Sequence, residues 1–405
     1  MKLSANAKKA VIIGTLCSVS YLAVYIARNV LGAVTPQMVA DGAFTEEAIG
    51  TISSLYFVCY AIGQLINGVI GDKIKARYMI GLGLLLAGIT NVLFPFVGDH
   101  ALAAQVSYGA TGFFLAMIYG PMTKVVAENL EPIYATRCSL GYTFASFVGS
   151  PGAGLLAAFL SWKNTFIASS IALVAMAIIF FTCFTLFERK GLIQHGQYKV
   201  EKKKGGNIKV LFKHHIVKFS LISIITGVVR TSVIFWLTTY ISQALHFSPE
   251  VAAGLYTAST LAISLTAFVS IFVYEKIMKF NMDATILLMF SLSTVFFLLV
   301  YLIKIPALNI ILLVLAIMSS NASATMLWSR YCPSLRDTGM VSGVTGFLDF
   351  LSYMAAAAAN ILFANAVADI GWNNLILVWM SLMIAGVIVA LPYHSLRGLL
   401  RGKKE

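Results

Sequence analysis

The stretch "YLAVYIARNVLGAV", Tyr21 to Val34, decides the fold. It is apolar enough to lie in hydrocarbon, yet it carries Arg28 with no acidic residue near it in sequence. A guanidinium in a bilayer is costly and has no cheap neutral form. Such a residue faces a bundle interior or a water-filled cavity. The rest of the chain agrees with a membrane setting. Of 405 residues, 59% are hydrophobic and 11% charged, whereas a soluble domain keeps about 25% charged. Apolar runs of about 20 residues, enough for a spanning helix, recur from end to end. Ten-residue in/out alternation is absent, which argues against an outer-membrane barrel.

Twelve spans are predicted, and the fold class is an all-α integral membrane protein. The first six cover residues 10–39, 47–71, 77–97, 101–127, 134–160 and 164–187. The last six cover 216–245, 250–274, 283–303, 307–329, 338–367 and 373–395. Between them lies a basic, glycine-containing segment, 188–215, which reads as a cytoplasmic linker. The expected organisation is a six-helix bundle over 1–187 and a second over 216–405. The first span follows a basic start as a signal peptide would, but it is long, contains Arg28 and lacks a small-residue exit site, so it is expected to be retained.

Lysine and arginine set the orientation. With the N-terminus in the cytoplasm, 25 of the 29 fall at cytoplasmic positions, in loops, the linker region, the termini and the cytoplasmic ends of spans. Lys163 and Lys304 fall in outer loops, and Arg28 and Arg230 remain inside spans. Both termini are therefore expected in the cytoplasm, with the chain in a plasma membrane, most simply a bacterial inner membrane. The charge of +13 is thereby explained without nucleic acid as a partner. The same sorting of the 16 acids leaves Asp349 as the one acid away from the ends of the predicted spans. The cysteines, Cys17, Cys59, Cys138, Cys183 and Cys332, are scattered and read as small buried hydrophobes, not as a disulfide or metal set. No cofactor or metal is expected. No catalytic pair, metal cluster or phosphate-cradling glycine loop with a lysine is present, so an enzyme is not expected.

The chain also repeats itself. Arg28 and Arg230 each lie in the first span of their half, and Trp162 and Trp372 each mark the outer turn before a half's last span. Such duplication places a transporter's site near the midplane, between the repeats.

Spacing then groups the candidate ligands. Tyr21, Tyr25 and Arg28 share one helical face, as do Tyr56, Tyr60, Gln64 and Asn67 in the second span. Tyr142, Ser146 and Gly149 do so in the fifth, and Ser342, Thr345, Asp349 and Tyr353 in the eleventh. Polar stripes of this kind also serve as interhelical glue, and Asp349 could be a structural partner for one arginine. The arginine forks match phosphate or carboxylate oxygens in bidentate fashion, and two of them suit a multi-oxygen dianion. The glycines of "GSPGAG", Gly149 to Gly154, and "GVTGF", Gly343 to Phe347, permit close helix approach.

"GVIGDKIKAR", Gly68 to Arg77, resembles the signature loop of the major facilitator superfamily, with Gly68, Asp72, Lys73 and Arg77 matching and Lys75 in place of the second glycine. A weaker counterpart is "YEKIMKF", Tyr274 to Phe280. Within that superfamily the chain looks like the organophosphate:phosphate antiporters, the glycerol-3-phosphate and hexose-phosphate carriers. The residues that carry this are "YLAVYIARNV", "YAIGQLINGVIGDK" and "VVRTSVIFWLTTYI", the last with Arg230, Trp236, Thr239 and Tyr240. The resemblance implies two pseudo-symmetric six-helix bundles and a phosphoryl group bound by Arg28 and Arg230. Tyr21, Tyr25, Tyr60, Gln64, Tyr142, Ser146, Trp236, Asp349 and Tyr353 complete the expected substrate site. Gln64 and Ser146 stand where some members carry Lys and His, Asn29 where some carry Lys, and Phe350 near a Tyr of others. These departures bear on the organic body of the cargo more than on the antiporter class.

The expected function is alternating-access exchange of a small phosphorylated metabolite for inorganic phosphate, by a monomer in a lipid bilayer. Two alternatives are a proton- or ion-coupled symporter of organic anions with Asp349 as proton carrier, and a transporter-like sensor of phosphate esters.

Overall fold

With no water in a bilayer to satisfy N–H and C=O groups, a spanning backbone must bond to itself. The computed structural model is accordingly helical, with no strand among the residues it describes, which are 4–71, 74–97, 100–194, 208–335 and 341–391. Sixteen α-helices follow in order: α1 (Ala5–Ala40), α2 (Glu46–Gly71), α3 (Ala76–Leu93), α4 (Ala101–Leu115), α5 (Tyr119–Asn129), α6 (Pro132–Phe159), α7 (Trp162–Arg189), α8 (Ile208–Lys213), α9 (Ile216–Gly227), α10 (Ile234–Gln243), α11 (Pro249–Ser264), α12 (Thr266–Phe272), α13 (Met282–Leu302), α14 (Pro306–Met326), α15 (Cys332–Ser334) and α16 (Val341–Ala390).

Their ends follow helix-capping chemistry. The Ser4 side chain accepts from the Ala7 amide at the start of α1, and Ser161 accepts from Asn164 at the start of α7. Glu46 and Glu47 occupy the first turn of α2, where acids complement the helix dipole.

Among the described residues, ten helical stretches are long and apolar enough to cross a membrane. The last of them, Val344–Ala390, is two spans joined at Gly371, whose φ of 73° breaks the helical path. With α6 added, the described residues carry the twelve segments expected from the sequence. The fourth span is interrupted by a turn between Leu115 and Tyr119, and the polar segment after α7 contains the short helix α8. Among the described residues three π-helical turns occur, at Val228–Val233 between α9 and α10, at Val273–Ile277 after α12, and at Leu327–Tyr331 after α14.

The polarity is that of a membrane protein. Phe159 and Leu102 are largely exposed, while Ser169, Ser170 and Asn91 are buried. Asn91 Nδ2 donates to Ser169 Oγ at 3.0 Å and Ser170 Oγ at 2.8 Å, tying α3 to α7. Gln37 Nε2 donates to the Ala157 carbonyl at 2.6 Å, tying α1 to α6. The five cysteines are free thiols.

The described residues form two compact units. The first draws on Met1–Lys202, Ile234–Ser264 and Ala356–Ala368; the second on Lys203–Val233, Leu265–Ala355 and Asp369–Glu405. In the first unit, residues 356–368 of α16 lie against α2 at Gly50. A β-carbon there would stand 2.6 Å from Ala364 Cβ and 2.9 Å from the Asn360 carbonyl oxygen. Beside it, Asn360 Nδ2 donates to Ser53 Oγ at 2.7 Å, both residues being buried. Gln243 of α10 also bonds Glu46 of α2.

Candidate functional site

In the first unit the candidate residues assemble around Arg28. Its guanidinium lies over three rings, with Cζ 5.2 Å from the Tyr25 centroid, 4.9 Å from Tyr60 and 5.6 Å from Phe57. Tyr25 stands one turn before it on α1, and Phe57 and Tyr60 one turn apart on α2, so two helix faces supply all three rings. The backbone of this turn is held as well. Asn29 Nδ2 donates to the Tyr25 carbonyl at 2.6 Å, and the Tyr108 hydroxyl of α4 donates to the Arg28 carbonyl at 3.2 Å. Tyr108 itself stacks on Tyr56 at 4.6 Å.

Tyr21 joins this group through Tyr25, their centroids 4.9 Å apart. Tyr142 of α6 meets Tyr21 edge-on at 6.1 Å. α6 comes this close because Gly149 faces Tyr25 with no side chain; a β-carbon would fall 2.8 Å from the Tyr25 carbonyl carbon. Ser146 and Gln64 are half-buried, one turn beyond Tyr142 and Tyr60 respectively.

Two members of this cluster do not stand out in the sequence. Tyr119 packs on Tyr21 at 5.6 Å and Tyr142 at 6.1 Å, and is 39% exposed. It opens α5 just after the interruption of the fourth span, so its direction does not follow from the run before it. Phe57 reads as one more apolar residue, although its i, i+3 spacing to Tyr60 was the available signal.

In the second unit Arg230 sits in the π-helical turn Val228–Val233. Its Nη2 is 3.5 Å from Asp349 Oδ1, with the two side chains 32% and 30% exposed. The same nitrogen donates to Ser352 Oγ at 3.4 Å. The guanidinium carbon lies 5.7 Å from the Trp328 ring and 5.8 Å from that of Tyr353. Ser223 Oγ donates to the Leu348 carbonyl at 2.7 Å, which fixes α9 against α16 and so the height of Arg230 relative to Asp349. Ser352 and Trp328 are the additions here. Ser352 lies three residues beyond Asp349, and Trp328 lies in a π-helical turn of the chain that follows α14.

The second-half motif is divided. Arg230 belongs to the second unit, but Trp236, Thr239 and Tyr240 belong to the first. Trp236 is fully buried, edge-on to Phe235 and beside Gly50.

Of the signature loop, Arg77 pairs with Glu188 at 2.9 Å, linking the start of α3 to the end of α7, and its guanidinium stacks on Tyr78. Gly68 lies in the last turn of α2, while Asp72 and Lys73 lie outside the described residues. In the second-half counterpart, Glu275 pairs with Arg330 at 3.6 Å.

A profile of the Major Facilitator Superfamily matches residues 17–360. The membrane sensor protein UhpC of Salmonella typhimurium is 24% identical over 271 residues, 60% of this chain, which spans only 58% of that protein's length. The glycerol-3-phosphate transporter of Bacillus subtilis is 23% identical over 410 residues, covering 93% of this chain and 90% of that one. Among solved structures, a bacterial homologue of the human lysosomal transporter Spinster, in an inward-facing and unoccupied conformation, superposes with a TM-score of 0.74. It is 12% identical and covers 94% of this chain and 96% of its own. The twelve helical segments, the signature loop and the match over residues 17–360 lead to one statement: the chain belongs to the Major Facilitator Superfamily.

Proposed function

We propose that the chain is a secondary transporter that exchanges a small organophosphate for inorganic phosphate by alternating access, with the phosphoryl group engaging Arg28 and Arg230. The observation that carries this is how Arg28 is held. Aromatic rings take the flat faces of a guanidinium, while its N–H donors lie in the plane and point to the edge. A guanidinium held by ring faces can thus take an oxyanion along its edge without losing the ring contacts. Tyr21, Tyr25, Tyr60, Tyr142, Gln64 and Ser146 would surround the cargo from the first half, and Asp349 and Tyr353 from the second. Trp236 would act through packing. The repeat suggests two six-helix halves, 1–187 and 216–405, rocking about this site, with both termini cytoplasmic and a monomer sufficient. The likeness to a glycerol-3-phosphate transporter over 93% of the chain supports the cargo class.

The test is exchange in proteoliposomes loaded with phosphate. External organophosphate should drive efflux of labelled phosphate, and Arg28→Lys and Arg230→Lys should each abolish it, because Lys lacks the bidentate fork. Normal exchange by both variants would overturn the two-arginine site.

The likeness to a membrane sensor protein favours a second reading, a receptor of phosphate esters that binds without turnover. Cargo binding by the purified chain with no exchange in the same liposomes would establish that reading instead.

A further inference from the structure

We infer that Tyr119 is a specificity-determining residue, its ring being the surface on which the organic body of the cargo packs. The inference rests on the exchange reading above and concerns the part of the cargo that inorganic phosphate lacks.

A helix running straight through the fourth span would give Tyr119 the direction set by α4. The backbone takes another course. The amides of Met117 and Ile118 bond three residues back, to the carbonyls of Phe114 and Leu115, at 3.1 and 3.4 Å. Such bonds wind the chain more tightly than an α-helix, so α5 starts on a new heading. Tyr119 is its first residue and lands against α1 and α6. Its ring is 5.6 Å from that of Tyr21, tilted by 33°, and 6.1 Å from that of Tyr142, edge-on at 86°. Tyr21 and Tyr142 are buried, whereas Tyr119 is 39% exposed. It is the open end of an aromatic group that continues from Tyr21 through Tyr25 to Arg28, all within the first unit.

Two further features point that exposure toward water and not toward lipid. On α5, Tyr119 and Thr123 are one turn apart, as are Gly120 and Lys124. The face that begins at Tyr119 is therefore polar, and hydrocarbon rejects such a face. Next to the ring there is room: a β-carbon on Gly120 would meet no atom of the described residues within 4 Å. An accessible ring with open space beside it, on a polar face, suits the body of a bound cargo. The negative face of an aromatic ring attracts C–H groups, which a sugar or polyol body carries on its carbons, and asks for no charge. Inorganic phosphate has no C–H group and gains nothing from the ring.

The experiment uses the full chain in proteoliposomes loaded with labelled phosphate. Efflux is driven from outside by inorganic phosphate, or by whichever of glycerol 3-phosphate, glucose 6-phosphate and 3-phosphoglycerate acts at the lowest concentration. Tyr119→Leu keeps bulk and removes the ring. It should raise the half-saturating concentration of the ester about fivefold and leave that of phosphate unchanged. Tyr119→Phe keeps the ring and should behave as wild type with both. Gly120→Leu fills the open space beside the ring and should weaken the ester alone. Equal shifts for ester and phosphate in Tyr119→Leu, or no shift for either, overturn the inference, because a merely structural ring would serve both substrates alike. So does a loss in Tyr119→Phe as large as in Tyr119→Leu. If Tyr119→Leu does not fold, equal behaviour of ester and phosphate in Gly120→Leu overturns the inference. Failure of all three esters to drive efflux from the wild-type chain overturns the exchange reading itself.

Discussion

Gly149 of α6 lies against the backbone of Tyr25 on α1, so close that a β-carbon would fall 2.8 Å from the Tyr25 carbonyl carbon. The opposing atoms are the Tyr25 β-carbon and its main chain, and none of them can rotate away. Gly149→Ala therefore has to push α6 off α1, and overpacking of this kind costs roughly 1–3 kcal/mol. Gly152→Ala meets only the Ile26 side chain, at 3.0 Å from Cγ1. In detergent, Gly149→Ala is expected to lower the unfolding temperature clearly more than Gly152→Ala. Equal melting of the two would show that the helices separate easily here.

The rings around Arg28 give a second prediction. Tyr60 is the nearest of the three, at 4.9 Å. Tyr60→Phe keeps the ring face and Tyr60→Leu removes it. A cation–π contact in a partly desolvated site is worth about 1 kcal/mol, or roughly fivefold in affinity. Half-saturation of exchange should rise about fivefold in Tyr60→Leu and change little in Tyr60→Phe. A large loss in Tyr60→Phe would shift the role from ring to hydroxyl.

The Ser53–Asn360 hydrogen bond, 2.7 Å and buried, joins α2 to α16 within the first unit. If the proposed exchange cycle parts α2 from this stretch of α16, this bond has to break. Cysteines at positions 53 and 360 are expected to cross-link on oxidation and stop exchange, with reduction restoring it. Full exchange by the cross-linked protein would show that this pair stays together throughout.

Arg77 and Glu188 form a mostly buried pair, with side chains 18% and 15% exposed. Removing one partner leaves the other charge poorly solvated. Glu188→Gln should cost about 1–3 kcal/mol of stability, seen as a lower melting temperature that barely responds to salt. Strong salt sensitivity of the wild-type melting point would instead mark the pair as an exposed one.

How much of this the sequence held depends on the kind of signal. The spans and Arg28 were legible, because hydrocarbon imposes length and apolarity on every span and makes an internal charge stand out. Tyr21, Tyr25 and Tyr142 were legible as faces, by spacing alone. Tyr119, Phe57, Trp328 and Ser352 were not. Each acquires its role from a neighbour far away in sequence, and helix period carries no information about which helices touch. In near-uniform apolar sequence, a turn such as the one before Tyr119, or the break at Gly371, also leaves little mark. Trp236 shows the opposite case: its motif was legible, but burial beside Gly50 depends on α2 lying against α10.

The π-helical turns have a mechanical consequence. Each holds an extra residue in one turn, a unit of slack that can be taken up without breaking the helix. Among the described residues all three fall after residue 208, and one of them carries Arg230. Arg28 rides on the continuous helix α1, about two turns before its internal Pro36. The two arginines are chemically alike but differently mounted: Arg28 sits in regular α-helix, Arg230 in a turn with room to rewind.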